Sequence, residues 1–236
     1  MIGGFQKSSL IDYPEKISAI IFTQGCNFKC PYCHNPELIN KKNDSPNPSS
    51  IQTKNIGAEH ILEFLDSRKG KLDGVVITGG EPTLHKDLPE FIEKIKELGF
   101  CVKLDTNGTN PKMLKKLLDE KLIDYVAMDI KAPIEKYEEV VCAKINTEKV
   151  LKNIEILKKS HIDYEFRTTV VKSQLSADDF EKIGEMISGA EKYYLQRFMP
   201  TKTLDESFMQ KTTYSDKEFE QITENLQKFV NKVEVR

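Results

Sequence analysis

No stretch of this 236-residue chain approaches the run of about 18 to 20 apolar residues that a membrane-spanning helix requires. The N-terminus carries no long apolar segment of the exported kind either, so the expected location is the cytoplasm, away from any membrane. A basic excess is also missing. With a net charge of -2 and an isoelectric point near 6.2, the chain offers no dominant phosphate-binding surface, which argues against a nucleic-acid partner. It contains neither a G-x-S-x-G nucleophile elbow nor a P-loop to suggest hydrolysis, and no internal repeat. Its five cysteines do not resemble a secreted disulfide framework, because three of them cluster within eight positions. Cys101 and Cys142 stand far from that cluster and read as small buried hydrophobes.

The scarcity that says most is the lack of a fourth clustered cysteine. Cys26, Cys30 and Cys33 occupy the run Gln24-Gly25-Cys26-Asn27-Phe28-Lys29-Cys30-Pro31-Tyr32-Cys33-His34-Asn35-Pro36. A structural zinc site is normally closed by four protein ligands, and an ordinary [4Fe-4S] cluster takes four cysteine sulfurs. The spacing C-x3-C-x2-C therefore suits a cluster with one iron left for an outside ligand.

Length and hydrophobic content allow a single domain over residues 1–236. Short β-branched runs at Ile17 to Thr23, Gly74 to Thr78, Cys101 to Asp105, Tyr125 to Ile130, Tyr164 to Val171 and Tyr193 to Phe198 predict six strands, and Val233 to Arg236 suggests one more. Leu88, Phe91, Ile92, Ile95 and Leu98 fall at helical spacing, as do Val150, Leu151, Ile154 and Leu157. Asn110 before Pro111, and Ser215 with Glu218, are helix-start signals. The alternation favours parallel strands with right-handed crossovers, as an open doubly wound sheet or a partial barrel. Residues 40–54, rich in Asn, Lys, Asp, Ser and Pro, are expected to form a mobile, solvated loop.

Four strand ends carry polar motifs. The first strand runs into the cysteine loop, and the second ends in Thr78-Gly79-Gly80-Glu81-Pro82. The third closes on Asp105-Thr106-Asn107-Gly108 and the fourth on Met128-Asp129-Ile130-Lys131. In parallel α/β folds, ligands bind at the carboxyl edge of the sheet, and glycines let a ligand approach the backbone. Taken singly, Gly79-Gly80 reads as a turn, and Asp105 and Asn107 as turn formers or caps. Their shared strand-end position after a three-cysteine loop is what points to a site. His34 reads either as a group behind the cysteines or as a surface residue; His60, His85 and His161 have no partner motif, and none of the four is assigned as a ligand.

The three-cysteine run with an aromatic before its last cysteine, followed by Gly79-Gly80-Glu81-Pro82, resembles the radical S-adenosylmethionine (SAM) superfamily. The resemblance implies an α/β fold, the partial (β/α)6 TIM-like barrel. It also implies a [4Fe-4S] cluster on Cys26, Cys30 and Cys33, whose open iron is chelated by SAM. Tyr32 would line the adenine pocket, and Gly79, Gly80 and Glu81 would meet the methionine amino group. Asp105, Asn107, Asp129, Lys131 and Arg167 would surround the carboxylate and ribose, with Gln196 and Phe198 as weaker candidates for the adenine wall. Some relatives hold a monovalent cation near positions matching Asp105, Thr106 and Asp129.

Within the superfamily, Gly4 to Pro14 and Phe22 to Leu38 look most like the activating protein of anaerobic ribonucleoside-triphosphate reductase. By that resemblance an external one-electron donor, such as flavodoxin or ferredoxin, reduces the cluster, and SAM is cleaved to methionine and a 5′-deoxyadenosyl radical. The radical then takes a hydrogen from a glycine of the glycyl-radical reductase, a protein substrate. Asp12-Tyr13-Pro14 stands where pyruvate formate-lyase activating enzyme has a DGPG-like motif, which makes that target the lesser expectation. Action on a small molecule, or a non-catalytic iron-sulfur module, are the other readings.

Overall fold

A computed structural model of the protein describes residues 1–40 and 57–236. The loop expected at 40–54 lies, but for Asn40, outside the described residues. The elements run β1 (Ile2–Ser9), β2 (Ser18–Thr23), α1 (Ala58–Asp66), β3 (Gly74–Gly79), α2 (Leu88–Glu97), β4 (Cys101–Thr106) and α3 (Pro111–Asp119). They continue with β5 (Tyr125–Asp129), α4 (Tyr137–Val141), α5 (Thr147–Lys158), β6 (Asp163–Val170), α6 (Ala177–Met186), β7 (Lys192–Arg197), α7 (Asp216–Leu226) and β8 (Lys232–Val235). The six strands anticipated from β-branched runs are β2 to β7, each within two residues of its expected ends, and β8 is the short terminal strand.

The sheet order is the sequence order, β1 to β8. β2, β3 and β4 pair in parallel, as do β6, β7 and β8. β1 is the exception, for it pairs antiparallel with β2, and no β-branched run announced it. Its sequence, Ile-Gly-Gly-Phe-Gln-Lys-Ser-Ser, has one β-branched residue, and Gln6, Lys7 and Ser8 are exposed. An edge strand needs little apolar content, and exposed polar side chains there discourage pairing with other molecules.

The chain forms two compact units, each assembled from separated segments. The first comprises Met1–Asn27, Glu37–Thr106 and Lys112–Val126. Its β3 is buried on both faces, with Val75, Val76 and Ile77 at most 1% exposed, as a parallel strand covered by helices should be. Tyr13, Ile20, Val76 and Tyr125 cluster in its core, with Cys101 packed partly buried against them. The second unit comprises Phe28–Pro36, Asn107–Pro111 and Ala127–Arg236. There the Tyr193 hydroxyl donates to Thr168 Oγ1 at 2.7 Å, and Thr168 in turn donates to the Ile130 carbonyl at 2.6 Å, so buried hydroxyls satisfy one another and the backbone.

Pro111 opens α3 as expected, and Ser215 with Glu218 forms a full capping box on α7. Cys142 departs from expectation, because it is exposed. It caps α4 in the left-handed conformation at φ 48°, and a helix-terminating residue faces water rather than the core. Among the described residues, no helix is long and apolar enough to cross a membrane.

Candidate cofactor site

In the first unit, the segment after β2 is held by backbone bonds. Gly25 N–H donates to the Leu38 carbonyl at 2.6 Å and Cys26 N–H to the Ile39 carbonyl at 3.1 Å. Gly80 N–H donates to the Thr23 carbonyl and Glu81 N–H to the Gly25 carbonyl, both at 2.8 Å. The glycine pair has a reason in this packing. Gly79 sits at φ 118°, and a Cβ added there would lie 2.3 Å from the Thr23 nitrogen; one added at Gly80 would lie 2.1 Å from the Gly25 oxygen. Whatever a ligand asks of them, these glycines first let two strand ends approach. Gly79→Ala is expected to destabilise the protein by about 2 kcal/mol through backbone strain and overlap. An unchanged urea midpoint would contradict that reading.

Glu81 is fully buried. Its Oε1 accepts from Thr83 N–H at 3.1 Å, from Thr83 Oγ1 at 2.5 Å and from Thr106 Oγ1 at 2.7 Å. The carboxylate thus caps the 3-10 turn Pro82–Leu84 and ties the end of β3 to the end of β4. The resemblance sets Glu81 toward the methionine ammonium; in the structure its Oε1 is engaged by the protein's own donors. Asp105, on β4, pairs with Lys103 two residues earlier on the same strand, Nζ to Oδ1 at 2.6 Å. Lys103 is 2% exposed and was not among the residues singled out from the sequence.

The second unit gathers more of the expected residues. Cys30 is buried and Cys33 half-buried, and Cys33 N–H donates to the Cys30 carbonyl at 3.0 Å, closing a tight turn. This loop is anchored by Lys29 N–H to the Val141 carbonyl at 2.9 Å and by Asp205 N–H to the Pro31 carbonyl at 3.0 Å. Phe28 packs edge-on against Tyr137, with ring centroids 6.3 Å apart, and Tyr32 packs against Phe208 at 6.5 Å.

Asp129 stands between two cations, with Arg167 Nε and Lys131 Nζ each 3.0 Å from its oxygens. Burial works to raise the Asp129 pKa, but the Arg167 and Lys131 charges outweigh it and hold the carboxyl at about 2. Lys131 is pressed down by burial and lifted further by Asp129, so its pKa lies well above the usual range. Burial pushes the Cys30 thiol up to about 11, with Lys131 opposing. A metal binding this sulfur would have to displace a tightly held proton.

Lys131 Nζ also lies 6.0 Å from the Tyr32 ring centroid. The Tyr32 hydroxyl is buried with no nitrogen or oxygen partner, and it neighbours the Cys30 thiol closely enough to act on it by hydrogen bonding.

Tyr137, which no sequence motif marked, belongs here too. Its buried hydroxyl accepts from Lys131 N–H at 3.2 Å, so α4 supports both the cysteine loop and the turn after β5. The remaining candidates are engaged locally. Asn107 Oδ1 accepts from Thr109 N–H at 3.1 Å and Thr109 Oγ1 at 2.7 Å, the turn-forming pattern. Phe198 is buried and stacks on His34 at 5.8 Å, while His34 Nε2 lies 2.9 Å from the Met199 carbonyl. Gln196 is half-buried near the end of β7.

Among the described residues, no three His, Cys, Asp or Glu side chains are gathered as a single-ion site. A lone zinc would draw its thiolates to about 2.3 Å, whereas a four-iron cluster places each thiolate on a different iron. Within the second unit, the thiols of Cys30 and Cys33, the cations beside Asp129 and the buried Tyr32 hydroxyl fit part of the lining of a cluster and a carboxylate-bearing cosubstrate.

Comparison with known proteins agrees. Over its whole length, the chain is 36% identical to a Methanocaldococcus jannaschii protein named for glycyl-radical enzyme activation, across 95% of that protein. It is 34% identical to the pyruvate formate-lyase-activating enzyme of Streptococcus mutans, over 56% of this chain and 50% of that one. Streptococcus suis SuiB, solved with S-adenosylmethionine bound, superposes with a TM-score of 0.68 at 16% identity over 92% of this chain and 49% of its own, which speaks to the fold alone. The pattern of the radical SAM superfamily matches residues 20–187. The six-strand α/β succession, the three-cysteine loop and these matches together make the chain a member of the radical SAM superfamily, a radical SAM enzyme whose cofactors are a [4Fe-4S] cluster and S-adenosylmethionine.

Proposed function

We propose that this protein is a glycyl-radical activating enzyme and that its substrate is the anaerobic ribonucleoside-triphosphate reductase. The observation that carries the activase reading is the end-to-end likeness to a relative named for that activity. The run from Gly4 to Pro14, with Asp12-Tyr13-Pro14 before β2, supports the reductase as the target.

Cys26, Cys30 and Cys33 would hold the cluster. When bound and reduced by an external one-electron donor of the flavodoxin or ferredoxin type, it supplies the electron that splits SAM into methionine and a 5′-deoxyadenosyl radical. Lys131 and Arg167 would neutralise the methionine carboxylate, with Asp129 fixing both cations. The methionine ammonium needs acceptors, which Gly79, Gly80 and Glu81 would supply. Asp105 and Asn107 would reach the ribose, and Tyr32, with Gln196 and Phe198 further along, would border the adenine. The hydrogen removed from a glycine α-carbon goes to the 5′ carbon, giving 5′-deoxyadenosine and a glycyl radical on the partner.

The test is electron paramagnetic resonance on air-free mixtures of reduced, reconstituted protein with SAM and either purified reductase or purified formate-lyase. A glycyl signal on the reductase is the expected result. A signal on the formate-lyase alone would overturn the target. Release of 5′-deoxyadenosine with no signal on either would remove the activase reading.

A further inference from the structure

Asn153 is a polar residue on the apolar face of α5. Helical spacing alone would set Val150, Leu151, Ile154 and Leu157 against the core, yet Leu151 is 37% exposed and the inward stripe is Val150, Asn153, Ile154 and Leu157. Asn153 itself is 1% exposed. Its Nδ2 donates to the Gly108 carbonyl at 2.7 Å, and because a carbonyl only accepts, this bond fixes which way round the amide stands. The Oδ1 on the other side is buried and has no partner. A buried oxygen without a donor forgoes its hydration, and asparagine is a poorer helix former than the leucine that this stripe would otherwise take. What the fold receives in return is the bond to Gly108.

That bond falls on the softest point of the turn that follows β4 in the chain. Gly108 stands at φ 75°, and a Cβ added there would lie 2.1 Å from Cε of Met128, which is fully buried on β5 one residue before Asp129. Packing thus demands glycine. Glycine is freer in φ and ψ than any other residue, so the close approach that requires it also leaves the turn without stiffness of its own. A group from outside the turn must supply it. Thr109 N–H and Oγ1 both donate to Asn107 Oδ1, which fixes that side chain within the turn but does not fix the turn against β5. The Asn153 amide, reaching across from α5, does the second.

We propose that Asn153 is a positioning residue for SAM binding, whose amide clamps the Gly108 carbonyl and so holds the turn that presents Asn107 to the ribose. The inference rests on the SAM contact proposed above for Asn107. It makes two statements that an asparagine kept for the fold alone would not satisfy. Asn153 acts on SAM only through Asn107, and its effect on affinity is separate from its effect on stability.

The test is a double-mutant cycle on the full, reconstituted protein. SAM dissociation constants are read at equal iron content for wild type, Asn153→Leu, Asn107→Ala and the double variant, beside the urea midpoints of the same proteins. Asn153→Leu should weaken SAM binding by about fivefold or more, the factor that one ordinary hydrogen bond carries. Added to Asn107→Ala it should change nothing further, because a group that acts through another has no separate effect once that other is gone. Val150→Ala, about one turn earlier on the same face, is the control for stability: it should lower the urea midpoint and leave SAM affinity as in wild type. Wild-type affinity in Asn153→Leu would overturn the proposal. So would losses that multiply in the double variant, or a Val150→Ala protein that binds SAM as weakly as Asn153→Leu. Should Asn153→Leu not fold, Asn153→Ala takes its place in the cycle and is read against the same outcomes. If Asn107→Ala binds SAM like wild type, the ribose contact is removed and the inference falls with it; if Asn107→Ala is weakened and Asn153→Leu is not, the clamp alone is refuted.

Discussion

Cys30→Ala is expected to lower reductive SAM cleavage at least about 100-fold, beyond the loss that follows removal of a group merely supporting a metal ligand. The structure makes this position harsher than its neighbours. Cys30 is the most buried of the three cysteines of the motif, so no water-borne ligand readily takes its place. Lys131 also lies close enough to act on the thiol. Removing the sulfur leaves Lys131 facing an apolar methyl group. The measurements are iron and sulfide content after air-free reconstitution, and 5′-deoxyadenosine release. Cys142→Ala serves as the control, because that thiol is exposed at the end of α4. A Cys30→Ala protein that carries a full cluster and releases 5′-deoxyadenosine like the control would refute the ligand assignment.

The second large effect belongs to Asp129. Asp129→Asn keeps the shape but leaves Lys131 and Arg167 beside a neutral group, and breaking a largely desolvated pair in this way costs about 3 kcal/mol. The pH dependence follows from the direction of the shift. The folded carboxyl titrates at about 2 instead of 3.8, so its contribution is fully present above about pH 4 and disappears as the pH falls through about 2. That contribution is about 2 kcal/mol. Wild type should therefore lose more stability than Asp129→Asn on acidification from pH 5 to pH 2.5, as followed by urea unfolding. Parallel pH curves for the two proteins would show that the triad does not stabilise the fold.

Much of the architecture was legible because its signals are local. Runs such as Gly74-Val75-Val76-Ile77-Thr78 are too apolar and too short for anything but a buried strand, and Ser215 with Glu218 writes a helix start into four residues. The motif Cys26-x3-Cys30-x2-Cys33 was readable for the same reason, since its meaning lies in spacing alone. β1 was missed because an edge strand takes its stability from the partner it pairs with, and its own residues need carry no pattern. Cys142 was misread because burial of a small thiol depends on where its helix happens to end.

The residues that act through others were the least legible. Tyr137 supports the cysteine loop through Phe28 and the turn after β5 through Lys131, yet in sequence it is one tyrosine at the start of a five-residue helix. Lys103 looked like any strand lysine until its burial and its 2.6 Å contact with Asp105 were visible. Glu81 sits where the motif places it, but its Oε1 also serves Thr83 and Thr106.

The order of residues alone determined the α/β succession, the three-thiolate loop and with it the superfamily, because periodicity and ligand spacing are properties of a chain before it folds. Only the tertiary structure decided which charges are paired and which thiol is buried. Desolvation and ion pairing depend on what surrounds a group in space, and residues such as Asp129 and Arg167, 38 positions apart, become neighbours only after folding.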